Sequence, residues 1–174
     1  MVIRKAIEAD VSCVAAIYEA IHTAEEAGQA VIGWVRGVYP TRDTAEAALC
    51  RGDLFVLEDA ERIAGAAIIN QNQCDGYETG AWQYPAEDHE VMVLHTLVID
   101  PAAAGCGYGK AFVGFYEAYA RENGCRALRM DTNVRNARAR AMYARLGYRE
   151  IGVIPTVFNG IEGVNLVLLE KALG

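Results

Sequence analysis

Two periods govern the order of hydrophobic and polar residues along this chain. Alternation with a period of two and runs rich in β-branched residues predict strands, whereas apolar residues three and four apart predict amphipathic helices. The predicted strands cover the ranges 2–7, 53–58, 62–70, 89–99, 125–132, 148–154 and 163–169. One predicted helix begins after Asp10, and three further predicted helices cover 43–51, 107–123 and 136–146. This order favours a mixed α/β protein in which helices cover a sheet.

The length and composition are those of one globular domain covering residues 1–174. Hydrophobic residues make up 53% of the chain and charged residues 22%, which excludes a disordered or collagen-like protein. No apolar run approaches the roughly 18 residues of a membrane helix, and the charged first segment is unlike a signal peptide. The five cysteines lack CxxC spacing, so we expect reduced thiols, no metal site and a cytoplasmic protein.

Acidic and basic residues are unevenly distributed between the two parts of the chain. Residues 1–100 hold 6 Lys and Arg against 17 Asp and Glu, whereas residues 101–174 hold 10 against 6. Because phosphate contacts dominate nucleic-acid binding, the acidic part argues against nucleic acid as the main partner. The basic part is suited to a smaller anion, and the acidic part is suited to a cation.

A glycine-rich segment follows the longest predicted β-branched strand. Residues 93–112 read VLHTLVIDPAAAGCGYGKAF, a strand, a loop and the start of a helix. The loop contains Gly105, Gly107 and Gly109. Free backbone N–H groups at a helix N-terminus bind phosphate, and glycines let the phosphate approach closely. The P-loop pattern is not met, because Ala111 follows Lys110 where Ser or Thr is required. A dinucleotide-dependent oxidoreductase stays open as an alternative, with Asp131 as the ribose-binding acid.

A second motif lies on the last predicted helix, where residues 136–148 read NARARAMYARLGY. Together with the glycine loop, it resembles the GNAT superfamily of acyl-CoA-dependent N-acetyltransferases. Its motifs are [RQ]-x-x-G-x-[GA] after a strand and N-x-x-A-x-x-x-Y…G-[FY] on a helix and turn. The matching residues are Gly107, Gly109, Asn136, Ala139, Tyr143, Gly147 and Tyr148, whereas Ala104 departs from the pattern. The resemblance implies a twisted, mostly antiparallel sheet flanked by helices and splayed between its fourth and fifth strands.

The resemblance also implies acetyl-CoA as the cofactor. In the family, the amides of the glycine loop hold the pyrophosphate, and the fourth strand binds the pantetheine arm. The residues that would take these places are Leu97, Val98, Ile99, Gly105, Cys106, Gly107, Tyr108, Gly109, Lys110, Asn136 and Tyr143.

Proton-transfer roles follow from the same resemblance. Tyr143 matches the tyrosine that commonly protonates the leaving thiolate. His95, in the sequence LHTL, is similar to an L-H-x-L pattern whose histidine removes the amine proton in some small-amine acetyltransferases. The ordinary pKa of histidine suits that role near neutral pH, and Glu90 is a further candidate base. Considered alone, Tyr143 is more consistent with a core aromatic, and the motif around it reverses that order. His95 is equally consistent with a hydrogen-bonded histidine of the sheet, so these alternatives stay open.

The acceptor site is expected to come from the first helix and the segments 29–42 and 71–90. Aromatic rings beside acidic residues suit a cation. We therefore predict that a small cationic primary amine attacks acetyl-CoA directly in a ternary complex. The predicted acceptor-binding residues are Trp34, Tyr39, Tyr84 and Glu26. The resemblance further implies a homodimer, and the main alternative function is a non-catalytic acyl-CoA-binding sensor.

Overall fold

One sheet runs through the whole chain in the computed structural model, which describes residues 1–174. Its strands are β1 (Val2–Lys5), β2 (Leu54–Asp59), β3 (Arg62–Asn70), β4 (Val91–Ile99), β5 (Ala127–Asn133), β6 (Arg149–Phe158) and β7 (Ile161–Ala172). They lie in the order β1-β2-β3-β4-β5-β7-β6, and all neighbours are antiparallel except β4 and β5. The predicted mixed, mostly antiparallel sheet is confirmed.

Helices cover both faces of this sheet. They are α1 (Val11–Glu26), α2 (Arg42–Arg51), α3 (Tyr108–Glu122) and α4 (Ala137–Arg145). In β2, Leu54 and Val56 are buried against α1 and α2, whereas Phe55 and Leu57 are buried on the side of α3 and α4. Because both faces are covered, this strand forms a continuous apolar run instead of an alternating one. None of the helices is both long and apolar enough to cross a membrane.

The segment between β3 and β4, residues 71–90, packs on the sheet; we call it the β3–β4 segment. Tyr77 is 2% exposed and lies against Val91 and Val93. Trp82 Nε1 donates a hydrogen bond to the Tyr77 carbonyl at 2.6 Å, and the two rings are 5.1 Å apart. The sequence predicted a polar loop here. Its aromatic residues instead cover the part of the sheet that α1 and α2 leave open.

β4 carries an extra residue at Thr96. One residue of β3 is opposite two residues of β4 between the pairs Ala66–Val98 and Ile68–His95. Thr96 has a φ of 50°, in the left-handed region that threonine rarely adopts. Such a bulge redirects the side chains that follow it. As a result, His95 faces the β3–β4 segment, while the next partly buried residues of β4 pack on the side of α3.

β4 and β5 pair only over their first halves. The pairs continue to Leu94–Met130 and stop there. β3 pairs with β4 as far as Ile99, and β7 pairs with β5 as far as Asn133. The two central strands therefore separate, and residues 95–99 have no strand partner on the β5 side. The sequence predicted this opening between the fourth and fifth strands.

Tyr116 on α3 contacts the paired halves of β4 and β5 together. Its ring is fully buried, and its hydroxyl lies 2.6 Å from the Met92 carbonyl and 3.0 Å from the Arg129 carbonyl. Tyr116→Phe removes the only donor that the side chain offers to these buried acceptors. We expect the free energy of unfolding to fall by about 1–2 kcal/mol, measured by urea denaturation.

Tyr119→Phe is the matched control for this substitution. It removes the same hydroxyl from a partly buried tyrosine on the same helix, where the hydroxyl has no hydrogen-bond partner in the protein. Equal losses of stability in the two variants would contradict the role given to the Tyr116 hydroxyl.

Candidate active site

A cavity of about 620 Å³ opens where β4 and β5 separate. Its walls come from the α1–α2 segment (residues 27–41), the β3–β4 segment, the ends of β4 and β5, α4 and the end of β6. It brings together residues that are far apart in the sequence, among them Trp34, Tyr39, Asn70, Cys74, His95, Asp131, Asn136, Tyr143 and Phe158.

Side chains of α1 hold the α1–α2 segment beside the cavity. Glu25 accepts hydrogen bonds from the backbone N–H groups of Ile32 at 2.6 Å and Gly33 at 2.8 Å. His22 is 1% exposed, and its Nε2 donates to the Pro40 carbonyl at 2.9 Å. These three bonds fix the segment that supplies two aromatic rings to the wall of the cavity.

The aromatic wall consists of Trp34, Tyr39 and Phe158. Tyr39 meets Trp34 edge to face at 5.9 Å between ring centroids and meets Phe158 in the same way at 5.4 Å. The Tyr39 hydroxyl is hydrogen-bonded to the Thr96 hydroxyl, which connects this wall to the bulge of β4. Trp34 and Tyr39 therefore lie where the sequence predicted an acceptor site, and Phe158 is an addition from the structure.

A chain of polar side chains leads from the protein surface to His95. Arg51 donates to the Asp53 carboxylate at 2.9 and 3.2 Å, and Asn70 Nδ2 donates to the same carboxylate at 2.7 Å. Asn70 Oδ1 lies 3.0 Å from His95 Nε2, and His95 Nδ1 lies 3.3 Å from Cys74 Sγ. Both ring nitrogens of His95 are thus in contact with protein groups.

This chain determines the tautomer of His95. Because Asn70 Nδ2 is committed to Asp53, its Oδ1 faces the ring and requires a proton on His95 Nε2. Burial lowers the pKa of His95 to about 4, so the ring is neutral at pH 7 and Nδ1 carries the lone pair. The Cys74 thiol covers that lone pair. His95 therefore has no free ring nitrogen with which to remove a proton from an amine substrate.

Asp131 is the only acidic residue that lines the cavity. It is the first residue of β5 after the last β4–β5 pair, so it lies where the strands part. The Tyr77 hydroxyl donates to its Oδ2 at 2.8 Å, and the Cys74 thiol lies nearby. Burial raises the pKa of Asp131 to about 6. At pH 7 it is therefore mostly a carboxylate inside the cavity.

Tyr143 lies on the wall formed by α4. It is 6% exposed, and its ring meets that of Tyr148 at 5.9 Å. Burial raises the pKa of Tyr143, and the charge of Asp131 raises it further. The residue is thus both a core aromatic and a lining residue of the cavity.

The glycine loop presents a run of unpaired amides. Ala104 N–H bonds to the Pro101 carbonyl and Ala111 N–H to the Gly107 carbonyl, but the six N–H groups of residues 105–110 have no acceptor in the protein. The backbone φ is 87° at Gly105 and 79° at Gly107, and the space around both positions is open. The first turn of α3 and the loop before it therefore form an anion cradle made of backbone.

The other predicted cofactor residues have varied surroundings. Leu97 lines the cavity, whereas the side chains of Val98 and Ile99 pack into the cores on opposite faces, so only their backbone can meet a ligand. The Tyr108 hydroxyl donates to Asp59 at 2.6 Å. Asn136 caps α4 by accepting from the Ala139 N–H at 3.1 Å and also lines the cavity. Cys106 and Lys110 are exposed in the loop. Gly109 lets Met142 of α4 pack closely against α3, because a Cβ at position 109 would lie 3.2 Å from Met142 Sδ.

Three predicted residues lie outside the cavity. Glu90 accepts from the Glu87 N–H at 2.9 Å and pairs with Arg126 at 2.8 Å, at the opposite end of β4 from the bulge. Glu26 is exposed and pairs with Arg36 at 2.8 Å. Tyr84 packs among the residues that cover the beginning of β4. These placements do not favour Glu90 as a base or Glu26 and Tyr84 as acceptor-binding residues.

Among the lining residues that the acetyltransferase hypothesis did not predict to bind or react with substrate are Asn70, Cys74, Asp131 and Phe158. Asp131 had a usable signal, because it is an acidic residue at the end of an apolar strand that follows the glycine loop. The sequence analysis assigned it only to the dinucleotide alternative. In the structure it bonds to Tyr77 within the cavity.

Comparison with known proteins agrees with this geometry. A family model described as the acetyltransferase (GNAT) family matches residues 16–148. The chain belongs to the GNAT acetyltransferase family. The resemblance inferred from the two sequence motifs is thereby confirmed.

Relatives of this GNAT acetyltransferase differ widely in sequence. A stretch of 73 residues is 33% identical to an uncharacterized N-acetyltransferase of Methanocaldococcus jannaschii and covers 42% of this chain but only 32% of that protein. An acetyltransferase of the GNAT family from Streptococcus agalactiae has a TM-score of 0.81 at 20% identity, over 99% of this chain and 95% of that one. The yncA protein of Salmonella typhimurium, solved with its cofactor acetyl-CoA, has a TM-score of 0.69 at 19% identity, over 100% and 94%. At these identities the two structures establish the shared fold.

The state of His95 can be tested by its titration. The histidine NMR signals that disappear in the His95→Gln variant should titrate with a midpoint of about 4. Because this folded pKa lies below the ordinary value of about 6.5, the unfolded chain binds the proton first as the pH falls. His95 should therefore lower the free energy of unfolding by up to about 3 kcal/mol between pH 6.5 and 4.

Asp131 acts in the opposite direction over part of the same range, because its folded pKa is raised and the folded chain binds that proton first. The stability effect of His95 is accordingly read from the difference between the wild type and His95→Gln. A midpoint near 6.5 for His95, or a difference that does not change with pH, would contradict the neutral ring.

Proposed function

We propose that this GNAT acetyltransferase moves an acetyl group from acetyl-CoA to a primary amine carried by a small cationic molecule. The observation that carries the proposal is the cavity at the parting of β4 and β5. It joins residues 95–97 of the unpaired edge of β4, the Tyr143 side chain and an aromatic wall with one carboxylate in a single space.

The glycine loop and the free edge of β4 fit acetyl-CoA. The unpaired N–H groups of residues 105–110 suit the pyrophosphate, through hydrogen bonds and the positive end of α3. The backbone of residues 97–99 suits an extended amide chain such as the pantetheine arm, by strand-like pairing. Since Ala104 offers no polar side chain, backbone groups account for most of the phosphate binding. When bound, acetyl-CoA supplies the acetyl group as a thioester.

The reaction requires a neutral amine, a polarised carbonyl and a proton for the leaving sulfur. The amine nitrogen forms the new C–N bond as the C–S bond breaks, the amine loses one proton, and the sulfur gains one. We assign the proton that the sulfur gains to Tyr143, which lines the cavity and whose raised pKa keeps its hydroxyl protonated near neutral pH. The proton that the amine nitrogen loses then replaces it on the Tyr143 oxygen. Backbone N–H groups on the free edge of β4 polarise the carbonyl. The transfer is direct, within a ternary complex.

The acceptor half of the cavity supports a cationic amine. Trp34, Tyr39 and Phe158 offer ring faces and edges, and Asp131 offers a carboxylate that no basic residue pairs with. The size of the cavity is suited to a small molecule. A homodimer and a cytoplasmic location stay predictions from the family resemblance and from the cysteine usage.

Titration calorimetry with acetyl-CoA, followed by a thiol-release assay over cationic and neutral amines, tests this function. We expect acetyl-CoA to bind and thiol to be released with cationic amines. Binding without release from any amine would favour the acyl-CoA-binding sensor. Absence of binding would contradict both functions.

Gly107→Val tests the anion cradle. The substitution places a branched side chain where a phosphate would approach and strains a backbone with a φ of 79°. We expect the affinity for acetyl-CoA to fall by about 100-fold or more, since several backbone hydrogen bonds to a charged group are lost together. Calorimetry measures the affinity.

Gly124→Val is the control for backbone strain. Gly124 follows the other end of α3 with a φ of 73° and the same open space. Its variant should lose comparable stability while keeping its affinity for acetyl-CoA. An unchanged affinity in Gly107→Val would remove the glycine loop from the cofactor site.

Tyr143→Phe tests the proton donor. Removing the hydroxyl should lower kcat by about 100-fold or more, because general acid catalysis contributes that much to such reactions. The affinity for acetyl-CoA should change by less than about threefold, since the ring remains in place. Steady-state kinetics and calorimetry measure the two quantities.

Tyr148→Phe is the matched control, because this tyrosine packs against Tyr143 but its hydroxyl donates to Glu117 at 3.1 Å, outside the cavity. A similar loss of kcat in both variants would mean that the packing of α4, and not the Tyr143 hydroxyl, supports turnover.

A further inference from the structure

The cavity contains a carboxylate without a cationic partner. Asp131 takes part in none of the ion pairs of the protein. The Tyr77 hydroxyl, a neutral donor, bonds to its Oδ2, and the uncharged Cys74 thiol lies nearby. A carboxylate removed from bulk water is stabilised by a positive charge that enters beside it. The position therefore selects for a ligand that brings its own cation.

The neighbouring basic groups are unable to supply that charge. Arg51 is the only lysine or arginine that lines the cavity, and its guanidinium is held by Asp53. His95 is neutral, with Nε2 bound to Asn70 and Nδ1 covered by Cys74. These contacts leave Asp131 as the one lining group that is both charged and unpaired.

The position of Asp131 also matches the reaction. It follows Met130, the last residue of β5 that pairs with β4, so it lies at the base of the opening. Across the same cavity are the free edge of β4 and Tyr143, and Asp131 is near enough to Tyr143 for its charge to raise the pKa of that hydroxyl. An amine bound to Asp131 therefore lies on the acceptor side of the groups that would hold the acetyl donor.

We propose that Asp131 is the residue that binds the ammonium group of the acceptor and takes its proton. This inference rests on the transferase function proposed above and replaces His95 as the base. One proton passes from the ammonium to a carboxylate oxygen of Asp131, and the nitrogen keeps the electron pair of that N–H bond as the lone pair that attacks. The second proton leaves the nitrogen as the C–N bond forms and replaces the one that Tyr143 gives to the leaving sulfur. Asp131 becomes a neutral acid and returns the proton to solvent after the product leaves.

Several groups face Asp131 and bear on its titration. They are Tyr77 and Cys74 of the β3–β4 segment, Tyr143 of α4, Tyr39 of the α1–α2 segment and His95 of β4. Burial raises the pKa of Tyr39, Cys74, Tyr77 and Tyr143, so these four stay uncharged near neutral pH, and His95 is also neutral there. Between pH 5 and 8, Asp131 is therefore the group of this set that changes charge.

The first test measures binding of an amine without acetyl-CoA. 2-Phenylethylamine and 2-phenylethanol have the same aromatic ring and differ in charge at pH 7.5. By calorimetry, the wild type should bind the amine about tenfold or more tightly than the alcohol, because a charge-assisted hydrogen bond is gained. In Asp131→Asn this preference should disappear, since the amide keeps an acceptor for Tyr77 but loses the charge. Equal binding of the two probes by the wild type would overturn the proposal.

Two comparisons support this reading of Asp131→Asn. Glu170→Gln removes another buried carboxylate, one that accepts from the Gln83 N–H at 2.8 Å outside the cavity, and it should keep the preference for the amine. In the wild type itself, affinity for the amine should weaken as the pH falls through about 6, where Asp131 becomes protonated. That measurement needs no variant and decides the question if Asp131→Asn fails to fold.

The second test follows turnover against pH. The wild type should lose kcat/KM for a cationic amine below about pH 6, and His95→Gln should retain this acidic limb. Asp131→Asn should lose most activity together with the limb. If the loss of kcat/KM below about pH 6 persists in Asp131→Asn and disappears in His95→Gln, His95 and not Asp131 is the general base. Amine binding that depends on Asp131 without any thiol release would overturn acetyl transfer and the proton step, yet support the ammonium site.

Discussion

The parting of β4 from β5 after Leu94 and Met130 is the constraint on which the site depends. Backbone N–H and C=O groups in a protein interior almost always find partners, and an open strand edge is usually covered. Here the edge of residues 95–99 stays without a strand partner, and residues 95–97 of it line a cavity. The bulge at Thr96 and its hydrogen bond to Tyr39 hold β4 in this separated course. The fold thus reserves polar backbone for a ligand in the centre of the sheet, where strand pairing would otherwise use it.

The polar network beside this opening orders the acceptor half. Arg51 and Asn70 Nδ2 both donate hydrogen bonds to the Asp53 carboxylate, which leaves Asn70 Oδ1 to accept from His95 Nε2. The ion pair of Arg51 and Asp53 thus determines which nitrogen of the His95 ring carries the proton. A network in which every member is satisfied is rigid. Its last contact places the Cys74 thiol between His95 and Asp131. The histidine therefore contributes by shaping the surroundings of the carboxylate.

The local parts of the structure could be predicted from sequence, whereas the parts that depend on topology could not. The strand before the glycine loop, the loop and α4 follow from short patterns, so the cradle and Tyr143 were found by motif. Phe158 reaches the cavity because it lies at the end of the β6–β7 hairpin, which extends beyond Asn133, the last residue of β5 that pairs with β7. Glu26 and Glu90 illustrate the reverse case. They are acidic residues in promising segments, but Arg36 and Arg126, which no local pattern links to them, pair with their carboxylates.

Charge at the site and charge on the surface have different effects in this protein. The chain has a net charge of −7, which by itself would repel an anionic acetyl donor. Salt screens exposed charges beyond about 8 Å at physiological ionic strength, so we expect the six unpaired amides of residues 105–110 to matter more for pyrophosphate binding than the surface charge does. For the acceptor, interactions strengthen as the surroundings become less polar. One unpaired carboxylate inside the cavity therefore outweighs the many acidic residues on the surface, and in our proposal Asp131 selects a cationic over a neutral amine.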